Sequence, residues 1–229
     1  MPANHVSVVL VHGAWANGSS WSKVNGPLKA DGMKVVAAPL PLTSLADDIA
    51  ALGRVLERLD GPVVLAGHAY GSAVIAETRD PKVASLVYIA GLAPEEGETV
   101  GDVFSCGPPH PKAPELKPDL HGLVWLPDEA SPTPSCRRHP PRSRPSWPPC
   151  SALSTWPASA FPVERPRWKD GPSWVLIAED DRMINPETQQ CAHAQSTTRR
   201  WSPHPQTSQV ILDAVRDVAP TTRRPTRTN

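Results

Sequence analysis

The chain has 229 residues, 23 of them basic and 23 acidic, so its formal net charge is zero. This balance gives no support to binding of nucleic acid or of a membrane surface, and the length suits one α/β domain with a substantial core. No apolar run approaches the ~18 residues of a membrane-spanning helix and the N-terminus shows no signal segment, so a cytoplasmic protein is the default prediction.

Four cysteines are spread along the chain without any C-x-x-C pair: Cys106, Cys136, Cys150 and Cys191. Metal-binding cysteines usually come in such pairs, so we expect scattered thiols, no zinc site and no other metal or cofactor. Disulfide bonds are the less favoured alternative.

In the first half, short apolar runs alternate with amphipathic stretches, which predicts parallel strands covered by helices on both faces. The runs that predict strands lie at 8–11, 33–37, 62–66 and 83–90. Between them, Ser19 or Ser20 is expected to cap a first helix that ends at Gly32, and Thr43 or Ser44 a second one.

Residues 67–71 read Gly-His-Ala-Tyr-Gly. An apolar run precedes them and a helical pattern at 72–77 follows, as in the G-x-S-x-G turn of acyl-transfer enzymes. In such a turn the central side chain projects into the active site, and close-packed backbone requires glycine on both sides. Ala69 occupies the central position, so the sequence predicts this turn without its nucleophile. A tight strand-to-helix turn without chemistry is the alternative.

A second turn follows the run at 8–11, where residues 12–15 read His-Gly-Ala-Trp. In hydrolases with the first motif, a His-Gly turn supplies one backbone N–H of the oxyanion hole, the pair of donors that stabilises the negative oxygen of a tetrahedral intermediate. The sequence therefore predicts the N–H groups of Ala14 and Tyr70 as the two donors.

Three segments together carry a family resemblance: VVLVHGAWANGSSW, GHAYGSAVIAE and KVASLVYIAGLAPEEGE. They resemble the small α/β-hydrolase family that includes plant methylesterases, hydroxynitrile lyases and bacterial esterases. The resemblance is close over residues 5–104 and returns at 163–190. It implies a doubly wound, mostly parallel sheet with helices on both faces and, in working members, a Ser-His-Asp triad.

The resemblance also implies roles in the second half. Asp181 corresponds to the acid that orients the triad histidine, with Asp180 as a near rival. The histidine should follow the acid after one more strand and before the last helix, at 210–218, which favours His204 over His193. A surface-loop histidine explains His204 equally well.

Three further residues adjoin the two turns and are expected near the pocket: His12, Trp15 and His68. We expect them to support the turns or line the pocket rather than to transfer protons, because chain order in the family places the catalytic histidine after the acid.

The character of the chain changes in the second half. Ten prolines occur from Pro132 to Pro166, where the family has a mostly helical cap, and no regular helix can run through such a stretch. Two interpretations stay open. One is a natural Pro-rich lid or disordered insertion, and the other is a compensated frameshift that affects 131–160 and a second unusual stretch at 191–204.

The predicted organisation has four parts: a core at 1–105, an irregular Pro-rich cap or insertion at 106–165, the rest of the core at 166–219 and a disordered tail at 220–229.

The sequence predicts a carboxylic-ester hydrolase lineage and a small, apolar, ester-like ligand. Because of Ala69, we expect the protein to be inactive or severely impaired; engineered replacement and natural loss of serine are both consistent with this alanine. The alternatives are a non-catalytic binding protein on the same fold and a decayed or frameshifted hydrolase without function.

Overall fold

The computed structural model describes residues 6–121, 123–127, 152–155, 162–192, 199–200 and 206–218. Strands and helices alternate along the chain. The strands are β1 (Ser7–Val11), β2 (Lys34–Ala38), β3 (Val63–His68), β4 (Val83–Ile89), β5 (Leu123–Trp125), β6 (Ala152–Thr155), β7 (Ser173–Leu176) and β8 (Arg199–Arg200). The helices are α1 (Ser22–Ala30), α2 (Leu45–Glu57), α3 (Gly71–Ala76), α4 (Val100–Phe104), α5 (Pro186–Cys191) and α6 (Thr207–Val218), with 3₁₀ helices at Gly18–Trp21 and Arg167–Lys169.

Six strands form one sheet in the order β2-β1-β3-β4-β7-β8, and every neighbouring pair in it is parallel. The carboxyl ends of parallel strands lie at the same edge of a sheet, so the loops that follow β1, β3, β4 and β7 all emerge there. The predicted α/β architecture with a parallel sheet is confirmed.

The sheet is covered on both faces because its strands are apolar at successive positions. In β1, Val8 and Leu10 pack into a cluster with residues of α1 and α6. Val9 and Val11 point the other way, into a cluster with residues of α2 and α3. Side chains alternate between the faces of a strand, so an unbroken apolar run can be buried only between two helical layers.

Of the two predicted helix N-caps, one is found at a predicted residue and the other is not. Ser44 caps α2, since its hydroxyl accepts a hydrogen bond from the N–H of Asp47. The first helix was expected to start at Ser19 or Ser20, but Asn17 is the cap, and it opens a 3₁₀ helix that leads into α1. The end at Gly32 is as predicted, with φ of 79°.

The region from 106 to 165 is described only in part. Strands β5 and β6 pair in an antiparallel two-stranded sheet within it. Most of the Pro-rich stretch at 131–160, most of the unusual stretch at 191–204 and the whole predicted tail at 220–229 lie outside the described residues. In the part of the chain that is described, no helix combines the length and the apolar character needed to cross a membrane.

Candidate active site

The turn at residues 67–71, called here the Ala69 turn, joins β3 to α3. Ala69 has φ of 49°, in the left-handed region that non-glycine residues rarely adopt. Its N–H donates to the carbonyl of Ile89 (3.1 Å), and its own carbonyl accepts from the N–H groups of Ser72 (3.0 Å) and Leu92 (3.2 Å). The strained backbone is therefore held in place by the neighbouring strand β4 and the segment after it.

Both glycines of the Ala69 turn lie against backbone atoms. A Cβ on Gly67 would lie 2.6 Å from the carbonyl oxygen of Gly71, and a Cβ on Gly71 would lie 2.6 Å from the carbonyl oxygen of Val11. Contacts this short do not occur for real Cβ atoms. The requirement for glycine on both sides, predicted from the motif, has this steric cause.

The turn at residues 12–15, called here the His-Gly turn, touches the Ala69 turn. A Cβ built on Gly13 would lie 3.1 Å from the Cβ of Ala69. Among the hydrogen bonds of the described residues, none is donated by the backbone N–H of Ala14 or of Tyr70. Both predicted oxyanion donors therefore belong to turns that meet at Ala69, and neither N–H is used in internal bonding among those residues.

His12 is a structural residue of the His-Gly turn. It is only 2% exposed, its Nδ1 lies 2.9 Å from the carbonyl oxygen of Gly13, and its Nε2 accepts a hydrogen bond from the N–H of Leu40 (3.3 Å). An acceptor Nε2 requires the neutral ring with its proton on Nδ1. Burial lowers the pKa of His12 below its ordinary value, which favours the same form.

Asp48 supports the Ala69 turn, and the sequence pattern alone did not single it out. This helix α2 residue is fully buried, and its carboxylate accepts from the N–H of Leu42 (2.8 Å) and from the hydroxyl of Tyr70 (2.7 Å). Burial raises the pKa of Asp48. Burial, together with this carboxylate, also raises the pKa of Tyr70. A sequence signal existed, because Asp48 lies on the apolar stripe that Leu45 and Leu52 define.

The loop at residues 178–184, called here the acid loop, follows β7. One carboxylate oxygen of Asp181, Oδ1, accepts from the N–H groups of Met183 (2.8 Å) and Ile184 (3.0 Å). This half-buried side chain is fixed by the loop, whereas Asp180 is exposed. The fixed carboxylate is the better of the two candidates for orienting a histidine, since none of the described residues donates a hydrogen bond to its Oδ2.

A second residue that the sequence analysis missed, Gln189, braces the acid loop. Its side chain is fully buried in α5. Its amide oxygen accepts from the N–H of Ala178 (2.8 Å), and its amide nitrogen donates to the carbonyls of Ile184 (2.6 Å) and Ala178 (3.3 Å). Both ends of the loop are thus tied to one side chain. No sequence pattern marked Gln189, since its partners are backbone groups in another element.

His68 belongs to the Ala69 turn and precedes Ala69. Its ring makes an edge-to-face contact with Trp21, with ring centroids 6.3 Å apart. Burial lowers the pKa of His68 below its ordinary value. The negative charge of Asp181 raises this pKa in part, and the nearby His12 lowers it further.

Trp15 connects the His-Gly turn to the second, smaller sheet. Its indole N–H donates to the carbonyl of Val124 in β5 (2.7 Å), and Val124 is itself buried. The half-buried position of Trp15 is compatible with the expected pocket wall, but its recorded contact is one that fixes β5 over the turn.

The two candidate histidines, His204 and His193, lie outside the described residues. The elements around them agree with the expected chain order, since β8 pairs in parallel with β7 and helix α6 begins at Thr207. His204 therefore falls between the last strand and the last helix. Within the described residues, no group of three or more His, Cys, Asp or Glu side chains is placed to hold a metal ion.

A family model described as "Alpha/beta hydrolase family" matches residues 8–218. The chain belongs to the alpha/beta hydrolase family. This match spans the His-Gly turn, the Ala69 turn and the acid loop, so the resemblance of the three sequence segments is confirmed at the level of the family.

Solved hydrolases share the fold at low identity. A pyrethroid hydrolase from Sphingobium faniae JZ-2 superposes with a TM-score of 0.64 and 21% identity, over 86% of this chain and 89% of that one. Polyneuridine aldehyde esterase gives a TM-score of 0.66 and 16% identity, over 90% of this chain and 98% of that one.

A curated relative is more similar in sequence but over a shorter range. The carbendazim hydrolyzing esterase of Nocardioides sp. (strain SG-4G) is 33% identical over 110 residues. The match covers 40% of this chain and 44% of the length of that relative.

His12, which is buried, and His68, which is half-buried, predict acid sensitivity of this hydrolase-family chain. Folding lowers the pKa of His12 and of His68, so below about pH 6.5 the unfolded chain binds more protons than the folded one. The free energy of unfolding therefore falls as the pH falls through that value. His68→Gln should flatten this dependence in urea titrations between about pH 7 and 5, a window set by the ordinary histidine pKa.

His121→Gln supplies the matched control, since it makes the same replacement at an exposed position. The raised pKa of Asp48 has the opposite effect on the pH dependence of stability. Asp48 is present in wild type, His68→Gln and His121→Gln alike, so its effect cancels when their slopes are compared. Equal slopes for wild type and His68→Gln would contradict the prediction.

Gln189→Ala should destabilise the fold by about 2–4 kcal/mol, because the N–H of Ala178 and two carbonyls lose a buried partner. The neighbouring Gln190 is exposed, so Gln190→Ala should change stability by less than about 0.5 kcal/mol. Urea denaturation of the two variants measures the difference. If both variants match wild type, Gln189 does not brace the acid loop.

Proposed function

We propose that the chain is a carboxylic-ester hydrolase scaffold without its nucleophile, which binds a small apolar ester and does not turn it over at an enzyme's rate. The observation that carries the proposal is Ala69, held at the centre of the turn between β3 and α3 with φ of 49°. In working enzymes of this fold a serine at that point attacks the carbonyl. A methyl group has no lone pair with which to do so.

The remaining parts of the proposed site are assigned by contact and chain order. The ester oxygen would lie between the N–H groups of Ala14 and Tyr70, which belong to turns in contact beside Ala69. Asp181 is the proposed acid, and His204 the histidine that it would orient. His12 and His68 support the two turns, as their burial and contacts suggest.

An apolar ligand suits the side chains around this edge of the sheet. Ala14, Ala69, Ile177 and Met183 are all apolar, partly exposed and packed on the same core cluster. They come from the His-Gly turn, the Ala69 turn, the end of β7 and the acid loop. The names of the relatives, which include esterases and hydrolases, agree with an ester as the class of ligand.

Ala69→Ser tests how much of the machinery remains. We expect only a small gain in the hydrolysis of nitrophenyl acetate, because the segment from Cys191 to His204 is the least family-like part of the second half. A complete triad would instead raise the rate by several orders of magnitude, with a profile that rises near pH ~6.5 as the imidazole loses its proton.

Two further variants decide between these results. In the Ala69→Ser background, His204→Ala and Asp181→Asn should have little effect if no triad forms. A large gain in Ala69→Ser that either change abolishes would show that only the nucleophile was lost, and the expectation of a small gain would then be wrong.

A non-catalytic binding role is the second candidate, and the intact turns around Ala69 favour it. Isothermal titration of wild type with a slowly hydrolysed aryl ester separates the two candidates. A ligand that binds tightly and is not turned over even by Ala69→Ser indicates a binding protein. Weak binding indicates an impaired esterase, whether or not Ala69→Ser restores turnover.

A further inference from the structure

Cys106 and Cys191 are distant in sequence and adjacent in space. Their Sγ atoms lie 2.6 Å apart, both residues are exposed, and both are free thiols in the structure. Cys191 is the last residue of α5, and Cys106 follows the end of α4. The sequence analysis expected scattered thiols, and the fold brings these two together.

Two further contacts hold the segment after α4 against α5, next to the two cysteines. The side chain of Asn185, which caps α5, donates to the carbonyl of Pro108 (2.8 Å). A Cβ built on Gly107 would lie 3.2 Å from the hydroxyl oxygen of Thr188. The segment after α4 therefore lies along α5 from Asn185 to Cys191, and these contacts hold the backbone next to the thiol pair.

We propose that Cys106 and Cys191 form an oxidation site, at which an oxidised low-molecular-weight thiol converts them to an intrachain disulfide. The thiolate of Cys106 attacks one sulfur of the small disulfide, forms a mixed disulfide and expels one thiolate. Cys191 then attacks the Cys106 sulfur and expels the second. The two cysteines lose two protons and two electrons, and the small disulfide is reduced to two thiols.

The order of the two attacks follows from the surroundings of Cys191. Its hydrogen bond with Cys106, followed by burial and the charge of Glu98, raises the pKa of Cys191. Thiolate is the attacking form, so the raised pKa disfavours a first attack by Cys191 at neutral pH and suits it to the second step.

The disulfide would fasten α5 to the segment after α4 and close a covalent loop from Cys106 to Cys191. Helix α5 also carries Gln189, which braces the acid loop. Oxidation would therefore reinforce the position of Asp181. Formation of this disulfide does not require Ala69 or ester binding, so its test is independent of the proposed function.

The test uses the full chain, reduced and then equilibrated with oxidised glutathione. Free thiols are alkylated, and a non-reducing peptide map is read by mass spectrometry. We expect a Cys106–Cys191 crosslink in wild type and in the Cys136→Ser/Cys150→Ser variant, and none in Cys106→Ser. The crosslink should raise the melting temperature by about 5 °C or more, because it closes a long loop in the unfolded chain.

Two results would overturn the proposal. One is a map in which both thiols remain alkylated, or carry glutathione, at equilibrium in wild type. The other is a crosslink that joins either cysteine to Cys136 or Cys150 instead. If the double serine variant does not fold, the map of wild type alone decides, since it identifies each pair directly.

Discussion

Gly71→Ala should destabilise the protein by about 3 kcal/mol or more, because the new Cβ would overlap with two backbone carbonyl groups. It would lie 2.6 Å from the carbonyl oxygen of Val11 and 2.7 Å from that of His12. These atoms belong to the end of β1 and the start of the His-Gly turn. The sheet or the turn must move to admit the methyl group, and thermal or urea unfolding measures the cost.

Gly53 offers a matched control within the same chain. It lies in the middle of α2, and a Cβ there would meet no atom within 4 Å. Gly53→Ala should therefore stabilise the fold by about 0.5–1 kcal/mol, since alanine loses less backbone entropy than glycine in a helix. A Gly71→Ala variant as stable as wild type would show that the Ala69 turn is not packed against β1.

Asp48→Ala is the second change with a large expected effect. It leaves the hydroxyl of Tyr70 and the N–H of Leu42 buried without their acceptor, at a cost of about 2–4 kcal/mol. The carboxylate of the exposed neighbour Asp47 accepts from the hydroxyls of Thr43 and Ser44 at the start of α2, so Asp47→Ala should cost about 1 kcal/mol or less. Urea denaturation of both variants provides the comparison.

A double-mutant cycle with Tyr70→Phe isolates the bond itself. In the Tyr70→Phe background, Asp48→Ala should lower the free energy of unfolding by less than it does in wild type. Only the N–H of Leu42 is then left without its acceptor. Strictly additive effects would contradict a direct hydrogen bond between Asp48 and Tyr70.

Much of the fold could be predicted because each local pattern agreed with the whole. The short apolar runs at 8–11 and 62–66 are typical of buried strands. The motif around Ala69 predicts close-packed backbone at Gly67 and Gly71, which the contacts of both glycines confirm. The start of α1 was predicted at the wrong residue, since Asn17 competes as a cap and opens a 3₁₀ helix first.

The supporting residues of the site could not be predicted in the same way. Asp48 and Gln189 act through partners that are distant in sequence, so only the assembled fold reveals their roles. His12 carried a visible motif, yet the use of both its ring nitrogens depends on the backbone of Leu40. The contact of Cys106 with Cys191 likewise exists only because α4 and α5 are neighbours.

The central claim is that Ala69 leaves the site without a nucleophile, and pre-steady-state hydrolysis of nitrophenyl acetate by wild type tests it most directly. The account predicts linear release of nitrophenol from the first time point, and no acetylated chain in the intact mass after acid quench. A burst of about one equivalent per chain, with the acetyl group on a single residue, would contradict it, because such a burst marks a covalent acyl-enzyme.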